Sequence, residues 1–180
     1  YPGSIADFEL PAGSECNGLT VQLANTSTNA ANSSWDFGIP GTNTDVSTQK
    51  NPTYAFPAGG TYNVTLIVNN NNHCGDTIQL PITVYEPLNV SFVHNDSMCI
   101  TDNSFNFDGT VTGPSILDIA WDFGPNASIQ TSTQEDVSNV VYATPGTFPV
   151  TLTASFLSCS ESVSSTVTIF KLPTVDFTID

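Results

Sequence analysis

Positive charge is almost absent from this sequence. Its 180 residues contain two Lys, two His and no Arg, against 17 Asp and Glu, so the formal net charge is -15. Nucleic-acid binding depends on Lys and Arg that displace counterions from phosphate, and anionic lipid surfaces attract basic segments in the same way. The composition therefore excludes a nucleic-acid partner and a basic membrane-binding surface.

Long apolar runs and helical patterns are missing as well. No segment reaches the roughly 18 to 20 apolar residues that cross a bilayer, no basic and then apolar leader opens the chain, and no window has the period of an amphipathic helix. We therefore predict no membrane insertion. The chain begins abruptly at Tyr1 and ends after a strand-like pattern at 175–179, so we expect it to be a piece of a longer protein.

Catalytic and metal-binding motifs are also lacking. The sequence has no Gly-x-Ser-x-Gly, no His-Glu-x-x-His, no phosphate-binding loop and no Cys or His pair at zinc-ligand spacing. The adjacent acids Glu135 and Asp136 are typical of a solvated turn. We expect neither an enzyme nor a bound cofactor, with structural calcium on the acidic surface as the one alternative.

An internal repeat organises what is present. Ser34-Trp-Asp-Phe-Gly38 returns as Ala120-Trp-Asp-Phe-Gly124, an offset of 86 (121 minus 35), and Gly60-Thr-Tyr-Asn-Val-Thr-Leu66 returns at the same offset as Gly146-Thr-Phe-Pro-Val-Thr-Leu152. Repeats at a fixed interval indicate tandem structural units. We predict one domain at 1–86, a second at 87–172, and at 173–180 the first strand of a further module or a donor strand.

Each copy has the two-residue period of β-strands. Tyr62, Val64, Leu66 and Val68 alternate with more polar neighbours, as a half-buried strand requires. Six or seven short strands in about 86 residues, separated by Asn-, Gly- and Pro-rich turns, are typical of an antiparallel β-sandwich. In each sandwich we expect a tryptophan, Trp35 or Trp121, to fill the space between the sheets.

The four cysteines allow three pairings. In each copy one cysteine precedes the second strand and the other follows the long Val-Thr-Leu strand. The repeat therefore predicts the pairs Cys16–Cys74 and Cys99–Cys159. Each would close a loop of about 60 residues, worth ~4 kcal/mol in the chain-entropy estimate, and would place the protein in an oxidising, extracellular compartment.

The Trp-Asp-Phe-Gly and Gly-Thr-Tyr-x-Val-Thr-Leu motifs resemble those of the PKD (polycystic kidney disease) domain family, over residues 1–172. The resemblance implies two immunoglobulin-like β-sandwiches, similar to the PKD modules of Bacteroidetes-type secreted surface proteins and adhesins. The family's usual Asp-Gly after the motif is replaced by Ile39-Pro40 and by Pro125-Asn126. No calcium site is carried over, and we predict that Asp36 and Asp122 bond nearby backbone amides.

Glycosylation patterns are frequent. Asp76-Thr77-Ile78 and Asp96-Ser97-Met98 resemble the Asp-Ser/Thr-apolar acceptor of Bacteroidetes O-glycans, which makes Thr77 and Ser97 candidates for O-glycosylation. The Asn-x-Ser/Thr acceptor pattern of N-glycosylation occurs at Asn25, Asn32, Asn63, Asn89, Asn95 and Asn126.

Tandem modules joined by the short proline linkers Glu86-Pro87 and Leu172-Pro173 indicate a non-catalytic structural or interaction segment of an extracellular fibre or cell-surface adhesin. Its expected partners are neighbouring modules or subunits of the same protein, in a filament, and surface glycans. The alternative is an accessory module, a spacer or polysaccharide contact, of a secreted hydrolase. Exposed aromatic residues would serve that alternative, with candidates at Tyr1, Tyr54, Tyr85 and Phe170.

Overall fold

A computed structural model describes residues 3–71, 74–115 and 117–174. The chain divides into two compact units, unit 1 at Tyr1–Pro87 and unit 2 at Leu88–Asp180. Both are built of β-strands, and within the described ranges the helical structure is a single 3-10 turn, Ser14–Cys16. The predicted all-β fold class is confirmed. The strand predicted at 173–180 falls almost wholly on 175–180, outside the described residues.

Unit 1 contains a four-stranded sheet and two short strand pairs. The sheet has the order β5-β4-β7-β8, and the pairs are β1 with β3 and β2 with β6, all antiparallel. The strands of unit 1 are β1 Phe8–Glu9, β2 Thr20–Gln22, β3 Ala24–Asn25, β4 Asn32–Asp36, β5 Val46–Ser47, β6 Thr53–Ala55, β7 Gly60–Asn69 and β8 Gly75–Val84.

Unit 2 contains a five-stranded and a three-stranded sheet. Their orders are β10-β16-β15-β12-β13 and β14-β11-β9. Among the described residues of unit 2, β10 pairs in parallel with the end of β16, and the other strand pairings are antiparallel. The strands of unit 2 are β9 Asn89–His94, β10 Ser97–Cys99, β11 Phe105–Thr112, β12 Asp118–Asp122, β13 Thr131–Ser132, β14 Asp136–Val140, β15 Gly146–Phe156 and β16 Cys159–Phe170.

A long hairpin supplies the two longest strands of each larger sheet. In unit 1 it pairs Gly60 with Val84 at one end and Asn69 with Gly75 at the other. Side chains at alternate positions of β7 point inward, so that Val64, Leu66 and Val68 are fully buried. Because the strand period is two, the residues between them form an outer face exposed to solvent. This hairpin is the predicted Val-Thr-Leu strand and the last strand of the copy.

Each unit has its own hydrophobic core. The largest fully buried side chains are aromatic, as expected for residues that fill the space between packed sheets. These aromatic residues are Trp35 and Phe37 in unit 1 and Phe105, Phe107, Trp121, Phe123 and Tyr142 in unit 2.

Candidate functional site

The two Trp-Asp-Phe-Gly motifs end equivalent strands, β4 and β12. Trp35 and Trp121 are each 1% exposed. The indole Nε1 of Trp35 donates to the Gln49 carbonyl at 2.9 Å, and that of Trp121 donates to the Gln134 carbonyl at 2.9 Å. Burial of the ring with a satisfied N–H is the usual arrangement of a core tryptophan. Both rings therefore act in folding and leave no face for a ligand.

The aspartates of the motifs form turns. Asp36 Oδ1 accepts a hydrogen bond from Gly38 N at 2.8 Å, and Asp122 Oδ1 accepts one from Gly124 N at 2.8 Å. Both glycines have positive φ, at 75° and 80°. This is the contact with nearby backbone amides that the sequence predicts, and it occupies an oxygen that a cation would need.

Beyond the glycine the two turns diverge. In unit 1 the buried Asp45 accepts a hydrogen bond from Ile39 N at 2.7 Å and fixes the loop over the sheet. In unit 2 Gln130 corresponds to Asp45. The backbone carbonyl of Asp45 accepts a hydrogen bond from Phe37 N, and that of Gln130 accepts one from Phe123 N. The side-chain Nε2 of Gln130 donates to the Pro125 carbonyl at 3.2 Å.

Metal ligands do not gather at these turns. Within residues 3–71, 74–115 and 117–174, no three or more His, Cys, Asp or Glu side chains come close enough to hold an ion. Calcium ordinarily takes six to eight oxygen ligands, several of them carboxylates. The described residues therefore offer no preformed cation site.

The predicted disulfides are wrong. Cys16 and Cys159 are disulfide-bonded, but neither is bonded to its predicted partner, and those partners, Cys74 and Cys99, are exposed. Cys74 immediately precedes the start of β8. Cys16 lies near the opposite end of that strand, because Gly18, two residues later, packs against Pro87, which follows the end of β8. Ten residues of strand span about 30 Å, and cysteines with Cα atoms more than about 7 Å apart cannot be bridged.

The second predicted pair fails for the same reason. Cys159 begins β16, and Cys99 lies opposite Phe170 at its end. The repeat relates each cysteine of one copy to a cysteine of the other, but the two cysteines within a copy lie at opposite ends of a long strand. Equivalence between copies does not imply proximity within a copy.

Most predicted glycosylation positions are exposed. Thr77 lies on β8 and Ser97 on β10, and five of the six asparagines are exposed, whereas Asn25 is half-buried and its Oδ1 accepts from Ser27 N at 3.0 Å. Beside Thr77, backbone N–H groups of Ala6 and Thr77 bond the Asp76 carboxylate and hold the pKa of Asp76 below its ordinary value. Modification at all of these positions stays a prediction.

The aromatic candidates do not form a platform. Tyr54 is half-buried and stacks on Phe37 with ring centroids 3.9 Å apart, as part of the core of unit 1. Burial, together with the nearby Asp45 carboxylate, raises the pKa of Tyr54. Phe170 is 54% exposed at the end of β16, and Tyr1 lies outside the described residues. No coplanar exposed pair is found among the described candidates.

Sequence reasoning missed a histidine–serine contact in unit 2. His94 Nε2 lies 2.8 Å from Ser165 Oγ, and His94 Nδ1 lies 2.8 Å from the Asn95 carbonyl. The imidazole packs against Phe92 and Phe107, with ring centroids 5.5 and 5.4 Å away. The Asn95 carbonyl fixes the orientation of the ring, as a backbone carbonyl often does for a histidine. The contact of His94 with Ser165 joins β9 to β16 and is structural.

A buried polar cluster was missed as well. Asn103 is 4% exposed, and its Nδ2 donates to the carbonyls of Ile100 and Tyr142 at 3.0 Å each, while its Oδ1 accepts from Tyr142 N at 2.8 Å. The Tyr142 hydroxyl donates to the Phe123 carbonyl at 3.2 Å. Burial, with the Asp122 carboxylate adding to it, raises the pKa of Tyr142 to about 12.

Comparison with known protein families identifies the family of this chain. Family models described as PKD domain match residues 7–84 and residues 88–169. The chain consists of two tandem PKD domains. PKD domains are non-catalytic modules that occur in extracellular proteins. A search of curated protein sequences finds no match, and none of the described residues forms a helix long and apolar enough to span a membrane.

Solved structures of similar proteins include single PKD domains. The PKD1 domain of Vibrio anguillarum Epp is 27% identical, with 48% of this chain and 96% of that chain covered and a TM-score of 0.39. The PKD1 domain of the Vibrio cholerae metalloprotease PrtV is 36% identical, with coverages of 46% and 98% and a TM-score of 0.39. Drosophila OTK extracellular domains 3–5 are 8% identical, with coverages of 92% and 62% and a TM-score of 0.49.

Proposed function

We propose that this tandem PKD chain is a structural and interaction segment of a secreted extracellular protein, a fibre or a cell-surface adhesin. The observation that supports it is the direct succession of two PKD domains, in which unit 1 ends at Pro87 and unit 2 begins at Leu88. A chain of modules without intervening spacer residues is suited to spanning distance.

The exit from unit 1 is held by its own domain. The Glu86 carboxylate accepts a hydrogen bond from Gly59 N at 2.7 Å, and Pro87 lies against Gly18. Proline also fixes its own φ and restricts the residue before it. The segment that leaves unit 1 therefore has little conformational freedom, as a load-carrying or spacing element requires.

The surface chemistry agrees with a spacer. With a net charge of -15, the chain resists non-specific association. Hydroxyl pairs cover the outer faces of the hairpins, among them Thr61 with Thr83 at 3.1 Å and Thr151 with Ser164 at 2.8 Å. Neighbouring modules or subunits of the same protein are the partners that this role needs.

Electron microscopy of the native material tests the proposal. We expect elongated, repetitive particles or filaments that antibodies against this chain label along their length. The same antibodies should leave the cell interior unlabelled. A chain that is recovered from its source as a dispersed single-chain monomer, or inside the cell, would refute the fibre role.

A further inference from the structure

A shallow cavity opens on the outer face of the larger sheet of unit 2. Its volume is about 480 Å³, within the range of about 300 to 1,000 Å³ that ligand pockets occupy. Thr131, Asp122 and Thr151 line it from three neighbouring strands, and the register places them directly opposite one another. The row continues to Ser164 on β16, whose hydroxyl lies 2.8 Å from that of Thr151.

The rest of the lining is polar amide and proline. Gln130 is held by its hydrogen bond to the Pro125 carbonyl, and Pro149 lies within β15 just beyond its last pairing with β12. The rings of Pro125 and Pro149 are exposed. The cavity thus combines hydroxyl, carboxamide and carboxylate groups with two rigid C–H surfaces.

Unit 1 has the corresponding row, but its backbone lies close against the glycine of the turn. Its row is Val46, Asp36, Thr65 and Gln79. A Cβ added to Gly38 would collide with the backbone carbonyl of Asn63, whereas nothing lies within 4 Å of a Cβ added to Gly124. Pro149 is the counterpart of Asn63 at the offset of 86, so the two units differ at this contact.

We propose that this cavity binds a sugar residue of a neutral glycan. Sugar hydroxyls can bond Asp122, Gln130, Thr131 and Thr151, while the apolar face of a sugar ring packs against proline. Ligand sites generally combine polar groups that fix the orientation of the ligand with apolar surface for contact, and here the two proline rings supply the apolar surface. The site acts whether or not the chain assembles, so it goes beyond the fibre role.

The charge of the site argues against an anion and against a divalent cation. An anionic ligand would meet the Asp122 carboxylate within a chain of net charge -15. A divalent cation would find one carboxylate in the lining, with an oxygen already bonded to Gly124 N, whereas calcium requires six to eight oxygen ligands. A neutral polyhydroxy ligand fits the groups present.

The test is NMR titration of the full chain with three neutral hexasaccharides, of β-1,4-linked glucose, α-1,4-linked glucose and β-1,4-linked N-acetylglucosamine. We expect saturating shifts at the amides of Asp122, Gly124, Thr131 and Thr151 with at least one. T151V keeps the side-chain shape and removes a hydroxyl, so we expect Kd to rise about three- to tenfold. T65V makes the same change in unit 1 and should leave Kd unchanged.

Three results would overturn the proposal. The first is no shift at these amides with any of the three sugars at about 10 mM, a range that detects even millimolar affinity. The second is an equal loss of affinity in T65V. The third is tighter binding of a sulfated oligosaccharide, or of Ca²⁺, at the same amides.

Discussion

Cys99 lies opposite Phe170 in the parallel pairing of β10 with β16, eleven residues along that strand from Cys159 (170 minus 159). At about 3.3 Å per residue the two cysteines are separated by roughly 36 Å, far beyond disulfide reach. We therefore expect no Cys99–Cys159 peptide, and for the same reason no Cys16–Cys74 peptide, in non-reduced digests.

Mass spectrometry checks this connectivity. Because the chain has two Lys and no Arg, an Asp- or Glu-directed protease must replace trypsin, and thiols must be alkylated before digestion. A parallel reduced digest identifies each cysteine peptide separately. Detection of Cys99–Cys159 as the main species in folded protein would contradict the register of β10 on β16.

The contact of His94 with Ser165 predicts non-additive substitutions. By the copy offset and the hairpin register, the counterpart of Ser165 in unit 1 is the apolar residue Leu80. H94F or S165L alone leaves one polar group without its partner, and we expect a loss of about 1 to 3 kcal/mol in the unfolding free energy of unit 2. The double variant removes both groups and should cost less than the two single losses added together.

Hydrogen exchange of amides in β15 measures this loss, because exchange from the core reports unfolding of that unit. Amides of β7 in unit 1 serve as the internal control and should not change. Strictly additive losses in the double variant would show that the His94–Ser165 contact contributes no coupling.

Tyr142 predicts an alkaline limit to the stability of unit 2. Its pKa is raised from 10.0 to about 12 in the folded state. A tyrosine whose pKa is higher in the folded state than in the unfolded state stabilises the fold. This contribution is present in full below the unfolded-state pKa of about 10, and it is lost as the pH rises to about 12. Y142F should flatten the stability of unit 2 over that window.

Y142F also removes the hydrogen bond to the Phe123 carbonyl, and we expect a loss of about 1 kcal/mol near neutral pH. Y62F is the matched control, since the Tyr62 hydroxyl donates to the Ala58 carbonyl at the surface and should matter less. Urea unfolding at neutral and alkaline pH measures both effects. An unchanged pH profile in Y142F would contradict the assignment to this hydroxyl.

Features encoded locally could be predicted from the sequence. Alternation along β7, the two Trp-Asp-Phe-Gly motifs and the offset of 86 led to the sandwiches, to the buried Trp35 and Trp121, and to the turn contacts of Asp36 and Asp122. These depend on the strand period and on neighbours two residues apart.

Features that depend on distant strands could not be predicted. Which end of β8 or β16 a cysteine occupies is set by register across the sheet, and sequence spacing contains no such information. The clusters of Asn103 with Tyr142 and of His94 with Ser165 join residues 39 and 71 positions apart. The cavity beside Gly124 depends on how closely β15 approaches the turn, and the corresponding strand β7 comes much closer to Gly38; this difference is visible only in three dimensions.

Substitution of the turn aspartates distinguishes calcium binding from hydrogen bonding to the backbone. If Asp36 and Asp122 act through their hydrogen bonds to Gly38 N and Gly124 N, their contribution to stability does not depend on a metal. We expect D36A and D122A each to cost about 1 kcal/mol in their own unit, because each leaves a turn N–H without its acceptor. D36N and D122N should recover part of it, since Asn forms the same turn. Excess EDTA should leave the melting temperature of the parent chain unchanged. A fall in melting temperature on EDTA addition that Ca²⁺ restores, and that D122A abolishes, would instead establish a calcium ligand at this turn.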